Sequence, residues 1–234
     1  MRKVKRLLRF LPLAFFFSLA AFVAGVYFVS TRSAPPVHPL TGRQIAGMAT
    51  DAAWMDRAAR ESEEDPERAL DLIGIEPGTV VADVGAGSGY IAVRLAKRVG
   101  PKGTVLANDI QPVLLTAVRD KVRALQLTNV KTIQGTDTDA RLPAGAVDTA
   151  ILFDVYHEFR NPQVMLQSIR RALKPDGRLV LVEYRGEDTT IPIASTHRMS
   201  VADARAEVEA EGFVFERLDS GLPRQHIIIF RRGR

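Results

Sequence analysis

The feature that most constrains the fold is an apolar run that ends in a glycine-rich turn. It reads Val80-Val81-Ala82-Asp83-Val84-Gly85-Ala86-Gly87-Ser88-Gly89-Tyr90. Glycines let a backbone turn sharply and approach a ligand at points where a β-carbon would collide with it. The pattern therefore predicts a buried strand, a ligand-binding loop and a helix in succession. A tight strand-to-helix turn without a ligand is the structural alternative.

Apolar, β-branched runs alternate with helical patterns along the rest of the chain. Strands are predicted at 79–83, 103–109, 130–134, 147–153 and 178–184, with helices at 66–73, 90–99, 112–125 and 162–173. Strands separated by helices need crossover connections, which are typical of a parallel sheet.

The C-terminal part of the chain follows a different pattern. A helix over 201–211 precedes strands at 213–218 and 226–231, and the link between these strands is too short for a helical crossover. We therefore expect an antiparallel strand at the end of the chain. The predicted fold class is α/β, with a doubly wound, mostly parallel seven-stranded sheet.

Acidic residues accompany the first two predicted strands. Asp83 stands just before the glycine loop, where a carboxylate can accept hydrogen bonds from a cationic amino-acid ligand and would repel a pyrophosphate. Asp109 ends the second strand in Ala107-Asn108-Asp109-Ile110. One carboxylate supplies the two acceptor oxygens that two neighbouring hydroxyls need. A helix cap ahead of Pro112 is the alternative role for Asp109.

With these motifs, the sequence from about Asp65 onward resembles the class I methyltransferases that use S-adenosyl-L-methionine. The resemblance implies a Rossmann-like fold in which the loop holds the methionine part of the cofactor and Asp109 binds the ribose. Asp83 would lie near the cofactor's amino group, and Asp137 near the adenine amino group, with Asp139 as the other candidate. The cofactor-binding residues expected from this resemblance are Asp83, Gly85, Ala86, Gly87, Ser88, Gly89, Asp109, Ile110, Asp137 and Phe153.

Candidate catalytic residues follow the fourth predicted strand, because aligned strand ends face the ligand crevice of an open α/β sheet. Here Asp154 is expected to orient the acceptor, Tyr156 to line the methyl group and His157 to act as a base. A packed imidazole is the structural alternative for His157. His197 is a further residue that could reach the pocket, although its segment also reads as a surface turn before a helix cap at Ser200.

No metal site is predicted. His157, Glu158, Glu183 and His197 could in principle share an ion, but their spacing matches no ligand motif. The chain has no cysteine, which excludes disulfides, thiolate zinc sites and cysteine nucleophiles.

The N-terminus predicts a membrane attachment. A basic segment, 1–9, precedes the uncharged apolar segment 10–29. A helix rising ~1.5 Å per residue would carry that apolar segment across a hydrocarbon layer of ~30 Å. A Pro-rich linker, 30–41, and a methyltransferase domain, 42–234, are expected to follow. A signal peptide cleaved after a small-residue site near Ala21 to Gly25 is the alternative.

Charge predicts orientation and argues against one class of partner. The cations of the basic segment keep the N-terminus cytoplasmic by the positive-inside rule, which would send the domain across the membrane. The net charge of +5 belongs to that segment, because the other 27 basic residues balance 27 acidic ones. Nucleic acid is therefore not an expected partner.

The sequence as a whole predicts an S-adenosylmethionine-dependent methyltransferase acting on an unidentified small-molecule or lipid-soluble acceptor. A non-catalytic cofactor-binding or membrane assembly module is the alternative. A nicotinamide-dependent oxidoreductase is disfavoured, because its fingerprint is G-x-G-x-x-G and Gly85, Gly87 and Gly89 give G-x-G-x-G. The oligomeric state is not indicated.

Overall fold

A computed structural model describes residues 35–233. Three helices come first, and strands and helices then alternate. The helices are α1 (Ala52–Met55), α2 (Arg60–Glu64), α3 (Pro66–Ile73), α4 (Ala92–Val99), α5 (Pro112–Ala124), α6 (Pro162–Ala172) and α7 (Val201–Glu209). The strands are β1 (Val80–Val84), β2 (Thr104–Asp109), β3 (Val130–Gln134), β4 (Val147–Phe153), β5 (Leu173–Arg185), β6 (Arg198–Met199), β7 (Phe213–Asp219) and β8 (Gln225–Arg232).

The described strands form one sheet in the order β3-β2-β1-β4-β5-β8-β7. The short strand β6 also pairs with β5 but lies outside this linear order. Strands β1 to β5 run parallel to one another, whereas β8 runs antiparallel to both β5 and β7. The expectation of a mostly parallel sheet with an antiparallel C-terminal strand is confirmed. The sheet has eight strands rather than seven, because residues 198–199 add β6 beside the end of β5.

Strand β1 lies at the point where the chain changes direction across the sheet. Its neighbours are β2 on one side and β4 on the other, and the crossovers leave toward opposite edges. In open α/β sheets a crevice opens at such a point, beyond the carboxyl ends of the strands. The glycine loop follows β1 and therefore lies in that crevice.

Apolar side chains fill both faces of the sheet. On one face Leu95 of α4 and Val118 of α5 pack against β1 and β2, and on the other Leu166 of α6 and Val208 of α7 pack against β4 and β5. Strands buried on both faces read as nearly continuous apolar runs, and this explains why their bounds could be predicted closely from the sequence.

The helix ends follow local chemistry. Proline occupies the first turn of α3, α5 and α6, where its missing N–H costs no hydrogen bond. Ser200 caps α7, since its side chain accepts a hydrogen bond from the backbone N–H of Asp203 at 3.0 Å.

Residues 36–46 pack against the domain, although part of this stretch was predicted to be a linker. Ile45 donates to the carbonyl of Pro36, and Glu207 of α7 accepts hydrogen bonds from Thr41 and Arg43. Among residues 35–233, no helix combines the length and apolar character that a membrane crossing needs. The predicted membrane segment, 10–29, lies outside the described residues.

Candidate active site

A cavity of about 320 Å³ opens beyond the carboxyl ends of β1, β2 and β4. Its volume falls within the range of small-molecule sites, ~300–1,000 Å³. The glycine loop forms one wall. Most of the residues expected to bind a cofactor line this cavity, namely Asp83, Gly85, Ala86, Gly87, Ser88, Asp109, Ile110, Asp137 and Phe153.

Both the backbone conformation and the surrounding space favour glycine at two loop positions that line the cavity. Gly85 and Gly87 have positive φ values of 77° and 53°. A β-carbon on Gly85 would lie 2.4 Å from Cγ2 of Val155, and one on Gly87 would lie 2.7 Å from Sδ of Met55. These positions thus keep the backbone close to the cavity without a side chain entering it.

Gly89 has a different role from the one expected. It does not line the cavity, and a β-carbon there would lie 3.2 Å from Cγ2 of Val118 in α5. Its φ of 83° also favours glycine. The structure therefore places Gly89 at a close contact between the loop and α5, away from any ligand in the cavity.

Asp83 is the least satisfied polar group of the cavity. Its side chain is buried, and Oδ2 has no hydrogen-bond partner within the described part of the chain. Burial, reinforced by the charge of Asp109, raises the pKa of Asp83 to about 7. A carboxylate in this state is stabilised by a cationic donor.

Asp109 is held in place by the backbone. Its Oδ2 accepts a hydrogen bond from the N–H of Gly87 at 2.9 Å, and its Oδ1 accepts one from the N–H of Gln111 at 2.8 Å. Burial raises its pKa, which these two hydrogen bonds partly offset. Each carboxylate oxygen has a second lone pair, so both can still accept from a ligand's hydroxyl groups.

The structure shows different roles for the two acids after β3, Asp137 and Asp139. Asp137 lines the cavity and accepts a hydrogen bond from Asn161 at 3.1 Å. Asp139 instead fixes its own loop, because its Oδ1 accepts from Oγ of Ser168 at 2.6 Å and from the N–H of Arg141 at 2.9 Å. Of these two acids, Asp137 alone is available to a ligand in the cavity.

Residues N-terminal to β1 cover the cavity. The sequence did not predict this contact. Trp54, Met55 and Arg60 all line it. Arg60 is buried, its guanidinium lies 4.3 Å from the ring centre of Tyr90, and its Nε donates to Glu64 at 2.6 Å. No local pattern in the sequence indicated that α1 and α2 fold over the glycine loop.

A second cavity of about 230 Å³ adjoins the first. The two cavities share Ala49, Trp54, Asp154 and Glu158 as lining residues. The remaining walls of the second cavity are formed by His157, Tyr184, Ile193 and His197. Two ligands, one bound in each cavity, would therefore lie next to each other at the shared residues.

Asp154 lies at this junction in a strained conformation. It follows β4 with a φ of 52°, in the left-handed region that residues other than glycine rarely adopt. Nε2 of Gln225 donates to both of its oxygens, at 2.8 and 2.7 Å, and Nη2 of Arg60 lies 3.7 Å away. Burial and the charge of Glu64 raise its pKa well above the usual value.

Tyr156 does not reach either cavity. Its ring is fully buried in the core beneath α6 and α7, 5.6 Å from the ring of Phe159 and 5.7 Å from the guanidinium of Arg43. The turn at Asp154 breaks the alternation of a strand, and this directs the Tyr156 side chain into the core. The predicted contact of Tyr156 with a methyl group is therefore not what the structure shows.

His157 connects two elements that are distant in sequence. Its Nδ1 lies 2.6 Å from Oε2 of Glu183 in β5, and its Nε2 lies 2.9 Å from Nδ1 of His197. Burial would lower the pKa of His157, but the charge and hydrogen bond of Glu183 outweigh it and raise that pKa. Burial lowers the pKa of His197, and the neighbouring His157 adds to this effect.

Glu158 completes this polar group. Burial raises its pKa to about 7, and its Oε1 accepts from the N–H of Ala49 at 3.1 Å. Ligand-type atoms of His157, Glu158 and His197 lie within 4.8 Å of one another, a spacing that admits a metal ion as well as a hydrogen-bonded group. The expectation that the site uses no metal stays a prediction.

Comparison with known proteins identifies the family. A family model described as a methyltransferase domain matches residues 75–215. The chain belongs to this methyltransferase family. The match begins just before β1 and ends in β7, so it contains the glycine loop and all the acids that line the cavity.

Two curated relatives illustrate the range of this family. The ubiquinone/menaquinone biosynthesis C-methyltransferase UbiE of Vibrio vulnificus is 31% identical over 116 residues, 49% of this chain and 45% of that protein. Nocamycin O-methyltransferase of Saccharothrix syringae is 33% identical over 114 residues, 49% of this chain and 41% of that protein. The chain therefore matches less than half the length of these relatives.

Solved structures extend the similarity over more of the chain. A SAM-dependent methyltransferase from Aquifex aeolicus is 26% identical, with a TM-score of 0.73 over 77% of this chain and 96% of that one. The [4+2]-cyclase SpnF has the same fold, with a TM-score of 0.60 at 18% identity over 71% of this chain and 81% of that one.

Family membership indicates S-adenosylmethionine as the cofactor, and the residues of the first cavity fit it. The cofactor carries an amino group, a ribose and an adenine. Asp83 offers an unpartnered buried oxygen to the amino group, Asp109 offers two acceptor oxygens to the ribose, and Asp137 lies on the remaining wall. Side chains at Gly85 and Gly87 would collide with Val155 and Met55, which also line this cavity.

The raised pKa of Asp83 predicts pH-dependent cofactor binding. A cationic amino group is best paired with the ionised carboxylate, so below about pH 7 the free protein must release a proton before it binds. The affinity for S-adenosylhomocysteine is expected to fall up to tenfold for each pH unit below that point. Calorimetry at pH 6 and pH 8 in buffers of different ionisation enthalpy measures both the affinity and the proton released.

Asp83→Asn should weaken binding at pH 8 and remove most of this pH dependence. Asp120→Asn is the matched control, since Asp120 is exposed on α5 outside the cavity and contacts Arg123. Equal affinities of the unmodified protein at pH 6 and pH 8 would contradict this assignment of Asp83.

Proposed function

We propose that this chain transfers the methyl group of S-adenosylmethionine to a small-molecule acceptor that binds in the second cavity. The observation that supports this most strongly is the junction of the two cavities at Ala49, Trp54, Asp154 and Glu158. Two cavities that share a wall hold two reactants next to each other. Such positioning supplies most of what a displacement reaction needs from a protein.

The residues of the first cavity orient the cofactor. The cofactor supplies an electrophilic methyl group attached to a positively charged sulfur. Asp109 holds the glycine loop by accepting a hydrogen bond from the N–H of Gly87, and Phe153 and Trp54 line the same cavity. Asp154 and Glu158 surround the junction with carboxyl groups whose pKa values are raised by burial.

The acceptor class follows from the walls of the second cavity. Trp54, Tyr184 and Ile193 make most of its surface apolar, and its volume suits a single ring or a short chain. Polar groups lie at the end occupied by His157 and His197. These features support a small, mainly apolar acceptor with one polar group, such as a lipid-soluble ring compound. The two curated relatives are named for methylation at carbon and at oxygen, so their names leave the acceptor atom open.

We also propose that the chain is tethered to a membrane by segment 10–29, with a cytoplasmic N-terminus and the methyltransferase domain, residues 42–234, on the other side. This rests on the uncharged apolar run and the basic residues before it. A reporter enzyme that is active only outside the cytoplasm, fused after Arg234, should be active. Activity from a cytoplasm-specific reporter at the same position would contradict this topology.

Blocking the second cavity is expected to separate methyl transfer from cofactor binding. Ile193 lines the second cavity and not the first, so Ile193→Trp should fill the acceptor space and reduce transfer by at least ~100-fold, consistent with the loss of acceptor positioning. Its affinity for S-adenosylhomocysteine should stay within twofold of the unmodified value. The assay is transfer of labelled methyl groups to cell extracts by the full-length protein.

Val164→Trp provides a control of equal size, because Val164 is exposed on α6 away from both cavities. This variant should transfer like the unmodified protein. If no extract component is labelled although the cofactor binds, the alternative of a non-catalytic cofactor-binding or assembly module is favoured instead.

A further inference from the structure

The hydrogen-bonded chain Glu183–His157–His197 ends at the second cavity. Glu183 is fully buried, and its Oε1 also accepts a hydrogen bond from the N–H of Tyr156 at 2.8 Å. The carboxylate is thereby fixed from two sides, with Oε2 directed to Nδ1 of His157. His197 is partly exposed and lines the second cavity, so it is the member of the chain nearest to an acceptor.

The polarity of this chain determines which nitrogen of His197 can accept a proton. An ionised carboxylate only accepts hydrogen bonds, so Nδ1 of His157 carries a proton. When His157 is neutral, its Nε2 accepts, and the partner at 2.9 Å, Nδ1 of His197, must donate. Neutral His197 then has an unprotonated Nε2. This atom makes no hydrogen bond within residues 35–233.

We propose that Nε2 of His197 is the general base of the second cavity, with His157 and Glu183 as positioning residues that hold it in the reactive tautomer. This inference rests on the proposed methyl transfer. It differs from the prediction that His157 is the base, because both nitrogens of His157 are occupied by Glu183 and His197. His157 is also almost fully buried, at 2% exposure.

The proposed role balances a transfer to a hydroxyl acceptor. The hydroxyl proton moves to Nε2 of His197 as an oxygen–carbon bond forms to the methyl group. The carbon–sulfur bond breaks, and its electron pair remains on sulfur, which neutralises the sulfonium charge. The proton on His197 is then released to water. The products are the methyl ether, S-adenosylhomocysteine and one proton.

The histidine base and the walls of the second cavity together favour one class of acceptor. A base of the histidine type is most effective on groups that ionise near neutral pH, such as phenolic or enolic hydroxyls. The apolar walls formed by Trp54, Tyr184 and Ile193 suit an aromatic or conjugated ring. We therefore assign to the second cavity a small phenol or enol whose hydroxyl lies against His197.

Charged groups around His197 also affect its titration. His157 and Glu158 face it from the turn after β4, Glu183 and Tyr184 from β5, and Asp154 from the end of β4. The lowered pKa of His197 keeps its ring neutral at physiological pH, which is the state that a base needs. Pairing with Glu183 raises the pKa of His157, and protonated His157 would donate from Nε2 to Nδ1 of His197 and leave the His197 proton on Nε2. Nε2 of His197 is therefore available as a base only above the pKa of His157.

The test reads the protonation of each ring nitrogen directly. The chain has only four histidines, so full-length protein labelled with ¹⁵N at histidine gives a spectrum that His157→Gln and His197→Gln variants can assign. At pH 8.5, both His157 and His197 are expected to carry their proton on Nδ1. In Glu183→Gln, the pKa of His157 should fall and the fixed tautomer of His197 should be lost. A proton on Nε2 of His197 in the unmodified protein would overturn the proposal.

This readout does not require methyl transfer, so it separates failure of the base from failure of the proposed function. In the labelled-extract assay, His197→Gln should lower transfer by ~100-fold or more, with S-adenosylhomocysteine affinity within twofold. Ser195→Gln is the control, since Ser195 is exposed in the same turn. Transfer by His197→Gln at the unmodified rate would contradict the proposal.

A metal titration distinguishes the other use of the same side chains. Zn²⁺ and Mn²⁺ added to the labelled protein should leave the His157 and His197 signals unchanged at stoichiometric concentration. Binding of either ion to both rings at one equivalent would show that His157, Glu158 and His197 form a metal site, and the base assignment would then fall.

Discussion

The buried carboxylate of Asp83, whose Oδ2 has no hydrogen-bond partner within residues 35–233, is the constraint around which the site is organised. It stands at the end of β1, where the glycine turns bring the backbone close to the cavity, and a second acid, Asp109, lies next to it on β2. Two such acids in a low-dielectric site repel each other unless a cation joins them. The sheet fixes both strand ends and so holds the two acids together despite their repulsion. A bound cationic ligand would offset that repulsion.

The acceptor side depends on how the chain leaves β4. The left-handed turn at Asp154 directs Tyr156 into the core and His157 toward β5. There, Nδ1 of His157 lies 2.6 Å from Oε2 of Glu183. The short strand β6 pairs with the end of β5 and brings His197 to the same place. The first and second cavities thus share Asp154, which directly follows β4.

Most of the fold and part of the candidate site could be predicted from the sequence. β-Branched residues allowed the bounds of β3 and β4 to be predicted, and the motif around Asp83 located the glycine loop, because both depend on local chemistry. Tyr156 and Gly89 were assigned to the site because spacing alone does not show which way a side chain turns. Arg60 and the pairing of His157 with His197 depend on contacts between distant parts of the chain, and no local periodicity records such contacts.

The central claim is that the first cavity holds S-adenosylmethionine through the acids that flank the glycine loop. The most direct measurement is isothermal titration of the full-length protein with S-adenosylhomocysteine, compared with Asp109→Ala, in which both ribose acceptors are lost. We expect saturable binding at one site per chain and a loss of at least tenfold in the variant, with circular dichroism unchanged. A folded protein that gives no binding heat with either S-adenosylmethionine or S-adenosylhomocysteine would contradict it.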